Sequence, residues 1–190
     1  MAKTESRMMP LATPAPDFAL PDTDGNTVQL ADFRGCPALV VAFICNHCPF
    51  VKHIADELAA VGREVSDRGA GMVAINANDT ANYPDDSPER MAEEKAARGY
   101  PFPYLFDADQ SVAHAYGAAC TPDFFVFDAD LCLVYRGRFD DSSPGKDTPV
   151  TGEALRGALD QVLSGQPVTL EQRPSLGCNI KWRPGNEPAA

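Results

Sequence analysis

Several features are missing from this sequence. No window approaches the length and apolarity of a membrane span, and the N-terminus, "MAKTESRMMPLATPAPDF", has no apolar core of the length a secretory signal needs. A cytoplasmic protein is therefore expected. Positive charge is scarce: 16 Lys and Arg against 27 Asp and Glu leave a net charge of -11. Phosphate backbones and anionic lipid surfaces are held by clustered Lys and Arg, so neither nucleic acid nor a membrane is expected as a partner. Tryptophan occurs once, at Trp182, and no internal repeat or second domain is visible. Nothing calls for a cofactor. A chain of 190 residues suits one domain with a core that needs no disulfide or metal to hold it together.

Cysteine, by contrast, is present six times. In a reducing compartment such thiols are free, catalytic or metal-bound more often than permanently paired, so their placement is the main question. Two of them form the motif Cys45-Asn46-His47-Cys48-Pro49.

The surroundings of the motif follow from periodicity. Residues 1–12 read as a flexible tail. "DFALPDTDGNTVQL" reads as two short strands around Asp24-Gly25, a hairpin. After Arg34-Gly35-Cys36-Pro37, the run "ALVVAFI" is too short for a buried helix and suits a central strand covered on both faces. Beyond the motif, Phe50, Ile54, Leu58, Val61 and Val65 recur at steps of four and three, which predicts an amphipathic helix ending near Gly69. The cysteine pair thus lies at a strand-to-helix junction. "GMVAINA" (71–77) is a second strand, and Ser87-Pro88 with Gly99 bracket a helix. A short strand (102–107) and a short helix (111–117) follow. "DFFVFD" (123–128) and "LCLVYRGRF" (131–139) predict an antiparallel hairpin, and Leu155, Ala158, Leu159, Val162 and Leu163 mark a last helix. The expected architecture is α/β, a mixed central sheet flanked by helices, with an N-terminal hairpin extension. The domain is expected over 13–166, with 167–190 a tail packed on it.

Three chemistries are open to Cys45 and Cys48. A zinc site usually takes four ligands, yet no second C-x-x-C exists, and the ring of His47 is poorly placed to share a metal with both flanking sulfurs. No metal is expected. An inert buried pair is the plainer reading. Against it, a helix start offers exposed N–H groups and a dipole that favour thiolate, as redox work requires. An imidazolium at His47 would stabilise that thiolate further, unless His47 simply faces solvent. His53, one turn on, faces either water or the motif, and His114 is expected to be merely helical. Cys120-Thr121-Pro122 stands just before the strand "DFFVFD", where X-Pro commonly serves as a turn or edge device.

A C-x-x-C between a buried strand and a helix, with Thr-Pro some seventy residues later at a hairpin's start, resembles the thioredoxin superfamily over roughly residues 13–165. That resemblance implies Cys45 as nucleophile, Cys48 as resolving thiol, Pro122 as a cis-proline beside the pair, and Thr121 next to it. The segment "ATPAPDFALPDTDGNTVQLADFRG" is similar to the opening of the branch containing AhpC/TSA-type peroxiredoxins and the thiol reductases of cytochrome maturation. In peroxiredoxins the peroxidatic cysteine aligns with Cys48. Their pattern has Thr or Ser where this chain has Cys45 and Pro where it has Val41, and no arginine near Pro122 matches the one they use on peroxide. Ordinary thioredoxins have Trp where this chain has Ile44 and Gly-Pro where it has Asn46-His47. "CNHCPFV" and "GCNIKW" together resemble a peroxiredoxin-like group that carries both.

The expected function is thiol–disulfide exchange on a protein or small-molecule disulfide, with re-reduction by an external thiol of unspecified identity. The alternatives are a thiol peroxidase in which Cys48 attacks hydroperoxide, and a non-catalytic redox-sensing or metal-binding domain. Cys120, beside the expected cis-proline, and Cys178, in the tail, are candidates for a longer thiol relay or for plain burial. Cys36 and Cys132 are expected to be structural.

Overall fold

A computed structural model describes residues 3–188. Its centre is a five-stranded mixed sheet. Strand β4 (Ala38–Phe43) lies in the middle, parallel to β5 (Gly71–Asn76) and antiparallel to β8 (Asp123–Asp128). β6 (Tyr104–Phe106) extends the parallel side, and β9 (Leu133–Gly137) closes the antiparallel side as a hairpin with β8. β2 (Ala19–Pro21) and β3 (Thr27–Gln29) form the expected N-terminal hairpin.

Alternation along β4 divides the core in two, because successive strand side chains point to opposite faces. Val40 and Ala42 join Ile54, Leu58 and Val61 of α1 (Pro49–Asp67) and Leu155, Ala158 and Leu159 of α4 (Glu153–Leu163). Leu39, Val41 and Phe43 pack on the other face with Leu105, Tyr116, Phe125 and Phe127. All six residues of β4 are buried, which is why the strand reads as an unbroken apolar run.

α1 begins where its sequence requires. Cys48 is its N-cap and Pro49 its first helical residue, a position where the missing N–H costs nothing and the fixed φ already fits a helix. The predicted stripe is buried at Ile54, Leu58, Val61 and Val65, while Phe50 is only half-buried and Val51 takes the inward place in the first turn. α2 (Pro88–Arg98) starts at the Ser87 cap, whose hydroxyl accepts from the Arg90 N–H, and stops at left-handed Gly99. α3 (Ser111–Ala115) is a single short turn region, and its His114 is more than a helix residue: Nε2 meets the Asn186 carbonyl at 2.7 Å and the ring packs on Trp182.

Both terminal segments contain short strands that the sequence pattern did not show. The segment taken for a flexible tail contains β1 (Lys3–Glu5), and the aperiodic C-terminal stretch contains β10 (Leu176–Asn179). With β7 (Cys120–Thr121) they make a second, three-stranded sheet in the order β1-β10-β7. These strands have two to four residues each, too few for a period-2 pattern to emerge. Gly177 makes the pairing possible: a Cβ there would collide with the Thr121 carbonyl. Further on, Lys181 N–H donates to Asn78 Oδ1 at 2.8 Å and Gln110 Nε2 to the Lys181 carbonyl at 3.0 Å, so this end is fastened to the domain.

Candidate active site

The carboxyl ends of β4 and β5 meet the amino end of α1, and the segment 44–48 turns between them. What holds this turn is a carboxylate from elsewhere in the chain. Asp86 Oδ1 accepts from the backbone N–H groups of Asn46 (2.8 Å) and His47 (3.3 Å), while Oδ2 accepts from Asn78 Nδ2 (2.8 Å) and lies 2.5 Å from His47 Nδ1. Asn76 Nδ2 donates to the Asp86 carbonyl at 2.9 Å, and the Tyr104 hydroxyl donates to Asn46 Oδ1 at 3.0 Å. Asp86 is wholly buried. Burial alone would raise its pKa, but the bonds from His47 and Asn78 outweigh that and hold it below the usual carboxylate value. An ionised carboxylate only accepts, so His47 Nδ1 carries the proton in this pair. His47 is thereby a partly buried ring fixed by Asp86 and stacked on Tyr83 at 5.6 Å, rather than a side chain facing free solvent.

The sulfurs lie against Thr121, the residue that precedes Pro122 through a cis peptide. Cys45 Sγ is 3.3 Å from Thr121 Oγ1. Cys48 Sγ is 3.2 Å from the Thr121 carbonyl and 2.8 Å from Cys178 Sγ. Cys178 stands opposite Thr121 in the β10–β7 ladder, which is how a residue 130 positions from Cys48 reaches it. All six cysteines are free thiols.

Proton affinity is divided unevenly among the three sulfurs. Cys48 is lowered to about 5, first by the hydrogen bond from Cys45, then against burial by the bond from Cys178 and by the N–H dipoles of Val51 and Cys178. The Val51 N–H acts as a dipole without closing a cap hydrogen bond. Cys45 is pushed well above the ordinary thiol value by the bond it donates to Cys48, by burial and by the charge of Asp86. Cys178 is pushed up to about 12 by burial and by its bond to Cys48. Of the three sulfurs Cys48 is the one whose charged form is favoured, because bonds from both neighbours stabilise it. When protonated, it can donate in turn to the Thr121 carbonyl.

The fourth candidate, Cys120, points elsewhere. Its sulfur lies 3.8 Å from the Pro122 carbonyl and 4.0 Å from that of Ser175, and burial drives its pKa strongly upward. Cys36 and Cys132 are half-buried away from the cluster. His53 lines a groove of about 150 Å³ with Phe50, Ile54, Pro122 and Leu176, and its Nε2 is buried without a partner.

Cys45, His47 and Asp86 offer ligand atoms within 4.8 Å of one another, so they are the residues that could hold a metal among those described. A cation there would have to displace His47 from Asp86 and compete with the three other donors on that carboxylate.

Asp86 is the residue that sequence reasoning missed. It stands forty positions from the motif, in "YPDDSPER", with no spacing that ties it to the cysteines. The available signal was the polar run Asn76-Ala77-Asn78-Asp79 at the end of an apolar strand, since the carboxyl ends of parallel strands are where α/β sites assemble.

A sequence model of the AhpC/TSA family matches residues 11–136. A Mycobacterium tuberculosis protein provisionally named a peroxiredoxin is 36% identical over 119 residues, 62% of this chain and 69% of that one. The thiol-disulfide oxidoreductase ResA of Geobacillus thermodenitrificans is 28% identical over 127 residues, 66% of this chain and 67% of its own. A crystal structure of an uncharacterized conserved protein from Geobacillus kaustophilus superposes with a TM-score of 0.95 at 54% identity, covering 97% of this chain and 98% of that one. Solved structures at 20% and 22% identity, with TM-scores of 0.62 and 0.63, share the thioredoxin-like fold.

Proposed function

The chain belongs to the AhpC/TSA family and has a thioredoxin-like fold, and on that premise we propose that it is a thiol–disulfide oxidoreductase whose working pair is Cys45 and Cys48. The observation that carries this reading is the position of Cys48: a sulfur at the N-cap of α1, 2.8 Å from Cys178 Sγ and 3.2 Å from the carbonyl of the residue that precedes the cis-proline.

In the first step the Cys48 thiolate attacks one sulfur of a substrate disulfide. A bond forms to Cys48, the substrate S–S bond breaks, and the other substrate half leaves as a thiolate. Cys45 then gives up its proton, attacks Cys48 Sγ and expels the second half as a thiolate that takes that proton. The protein's dithiol supplies two electrons, and an external thiol reductant restores it. Cys48 is 0% exposed and Cys45 2%, so attack on a substrate disulfide requires local opening of the segment 44–48. Thr121 orients Cys45, and the His47–Asp86 pair holds the turn. This assignment makes Cys48 the attacker, where thioredoxin-like position alone implies Cys45.

The test is reduction of insulin disulfides by the pre-reduced chain. Cys48→Ser abolishes a stoichiometric burst that the wild-type chain delivers, and an undiminished burst from Cys48→Ser defeats the reading. One observation favours a thiol peroxidase as second reading: complete burial of Cys48 suits a small oxidant. There the thiolate takes one oxygen from a hydroperoxide, an alcohol leaves, and Cys45 condenses with the sulfenic acid to release water. Loss of the Cys48 thiolate to hydroperoxide faster than to disulfide would favour it.

A further inference from the structure

We infer that Cys178 is a second resolving thiol for Cys48, so that the site works with three sulfurs and has two possible product disulfides. The inference rests on the reading above in one respect, that Cys48 is the sulfur that attacks.

The geometry for it is present in the folded chain. Cys178 Sγ is 2.8 Å from Cys48 Sγ, closer than two unbonded sulfurs normally approach, and Cys178 is 4% exposed, so solvent thiols do not compete for it. Its backbone is held from both sides. Lys3 stands opposite it in the β1–β10 ladder and Thr121 opposite it in the β10–β7 ladder. Gly177 lets the strand approach Thr121 more closely than any residue with a Cβ would. Cys48 is therefore flanked by two thiols on independent segments, one in its own turn and one in the terminal strand. Attack at a disulfide sulfur depends on access to it and on the attacker's thiolate fraction; Cys178 has the access, and once Cys48 is tied up in a mixed disulfide it no longer carries the charge that holds the Cys178 proton.

The reaction balances without further reagents. A mixed disulfide between Cys48 and one substrate half is attacked by Cys178. The Cys48–Cys178 bond forms, the bond from Cys48 to the substrate breaks, and the departing substrate thiolate takes the proton that Cys178 releases. Two electrons pass from the protein dithiol to the substrate, as in resolution by Cys45. Later attack of Cys45 on Cys48 of this product moves the disulfide back to the C-x-x-C and frees Cys178, with no net change in oxidation.

The probe is oxidised glutathione added to full-length reduced Cys45→Ser and to Cys45→Ser/Cys178→Ser, quenched with acid, alkylated, and mapped by peptide mass spectrometry. Cys45→Ser is expected to lose its glutathione adduct and accumulate a Cys48–Cys178 peptide pair. The double variant is expected to keep glutathione on Cys48. If the single variant retains that adduct as long as the double variant does, Cys178 does not resolve and the inference falls, while the attack by Cys48 stands. If neither variant takes glutathione on Cys48, the attacking thiol was misassigned and both readings fall together. The wild-type chain provides a check that needs no substitution: quenched at short times during oxidation, it is expected to contain both the Cys45–Cys48 and the Cys48–Cys178 linkage, and complete alkylation of Cys178 at every time point would overturn the inference.

Discussion

Replacing Asp86 by asparagine keeps the shape of the side chain and removes its charge, which isolates what the carboxylate does. Four donors converge on it: two backbone N–H groups of the cysteine turn, the His47 ring and the Asn78 amide. An amide offers one oxygen and one NH₂. If its oxygen serves the two N–H groups, its NH₂ meets Asn78 Nδ2, and that residue cannot simply flip because its oxygen already accepts from the Lys181 N–H. His47 has to shift to the Nε2 tautomer. Charge-assisted bonds contribute about 1.5–3 kcal/mol net and a buried donor left unpaired costs a similar amount, while release of a desolvated charge offsets part of the loss. Asp86→Asn is therefore expected to destabilise the fold by roughly 3 kcal/mol. The charge of Asp86 also raises Cys45, so the Cys45 titration is expected to move down toward the ordinary thiol range. Denaturant unfolding measures the first effect and thiolate absorbance against pH the second. A variant within about 0.5 kcal/mol of wild type, with Cys45 unmoved, would refute the role given to this carboxylate.

Three further outcomes are expected. Thiolate absorbance from Cys48 appears with a midpoint near about 5, well below the ordinary thiol value. Because the folded pKa is depressed, this thiolate contributes stability in full above the unfolded pKa and loses it as pH falls through the folded one. Unfolding free energy should therefore decline as pH falls from the ordinary thiol value toward about 5, and a decline of the same slope in Cys48→Ser counts against it. Gly177→Ala forces β10 away from Thr121, at about 1–3 kcal/mol for overpacking against backbone, and raises the Cys48 midpoint as the Cys178 donor withdraws. Unchanged stability together with an unchanged midpoint would show that the strand tolerates the added methyl. Leu58→Ala, fully buried between α1 and the sheet, should lower unfolding free energy by about 2–5 kcal/mol while leaving the Cys48 midpoint in place, as denaturant melts and thiolate titration will read.

Legibility in the sequence tracked the range of the interaction. β4 announced itself through "ALVVAF", since burial on both faces makes every position apolar, and α1 through a stripe that survives over four turns. Pro49 and Ser87 marked helix starts because capping is a matter of adjacent residues. Strands as short as β1, β7 and β10 have no room for a pattern, and their pairing depends on partners more than fifty residues away. The same holds for the site. Cys45, Cys48 and Thr121-Pro122 could be placed by motif and position, whereas the convergence of Asp86 on the turn depends on how the 84–86 segment lies over the ends of two strands. Cys178 was visible as a thiol in a tail, but its contact with Cys48 follows from a ladder register that no local rule encodes.

That ladder has a consequence for how the chain comes to be. Lys3 pairs beside Cys178, far away in sequence, so their meeting closes a long loop and belongs late in folding. The five-stranded sheet and α1 use residues 38–137 alone and can be assembled before then. Until β10 arrives, Cys48 lacks one of the two thiols that hold its negative charge. A chain in which β10 has not docked is thus expected to hold its cysteine turn in a less acidic form, and docking of that strand lowers the Cys48 pKa.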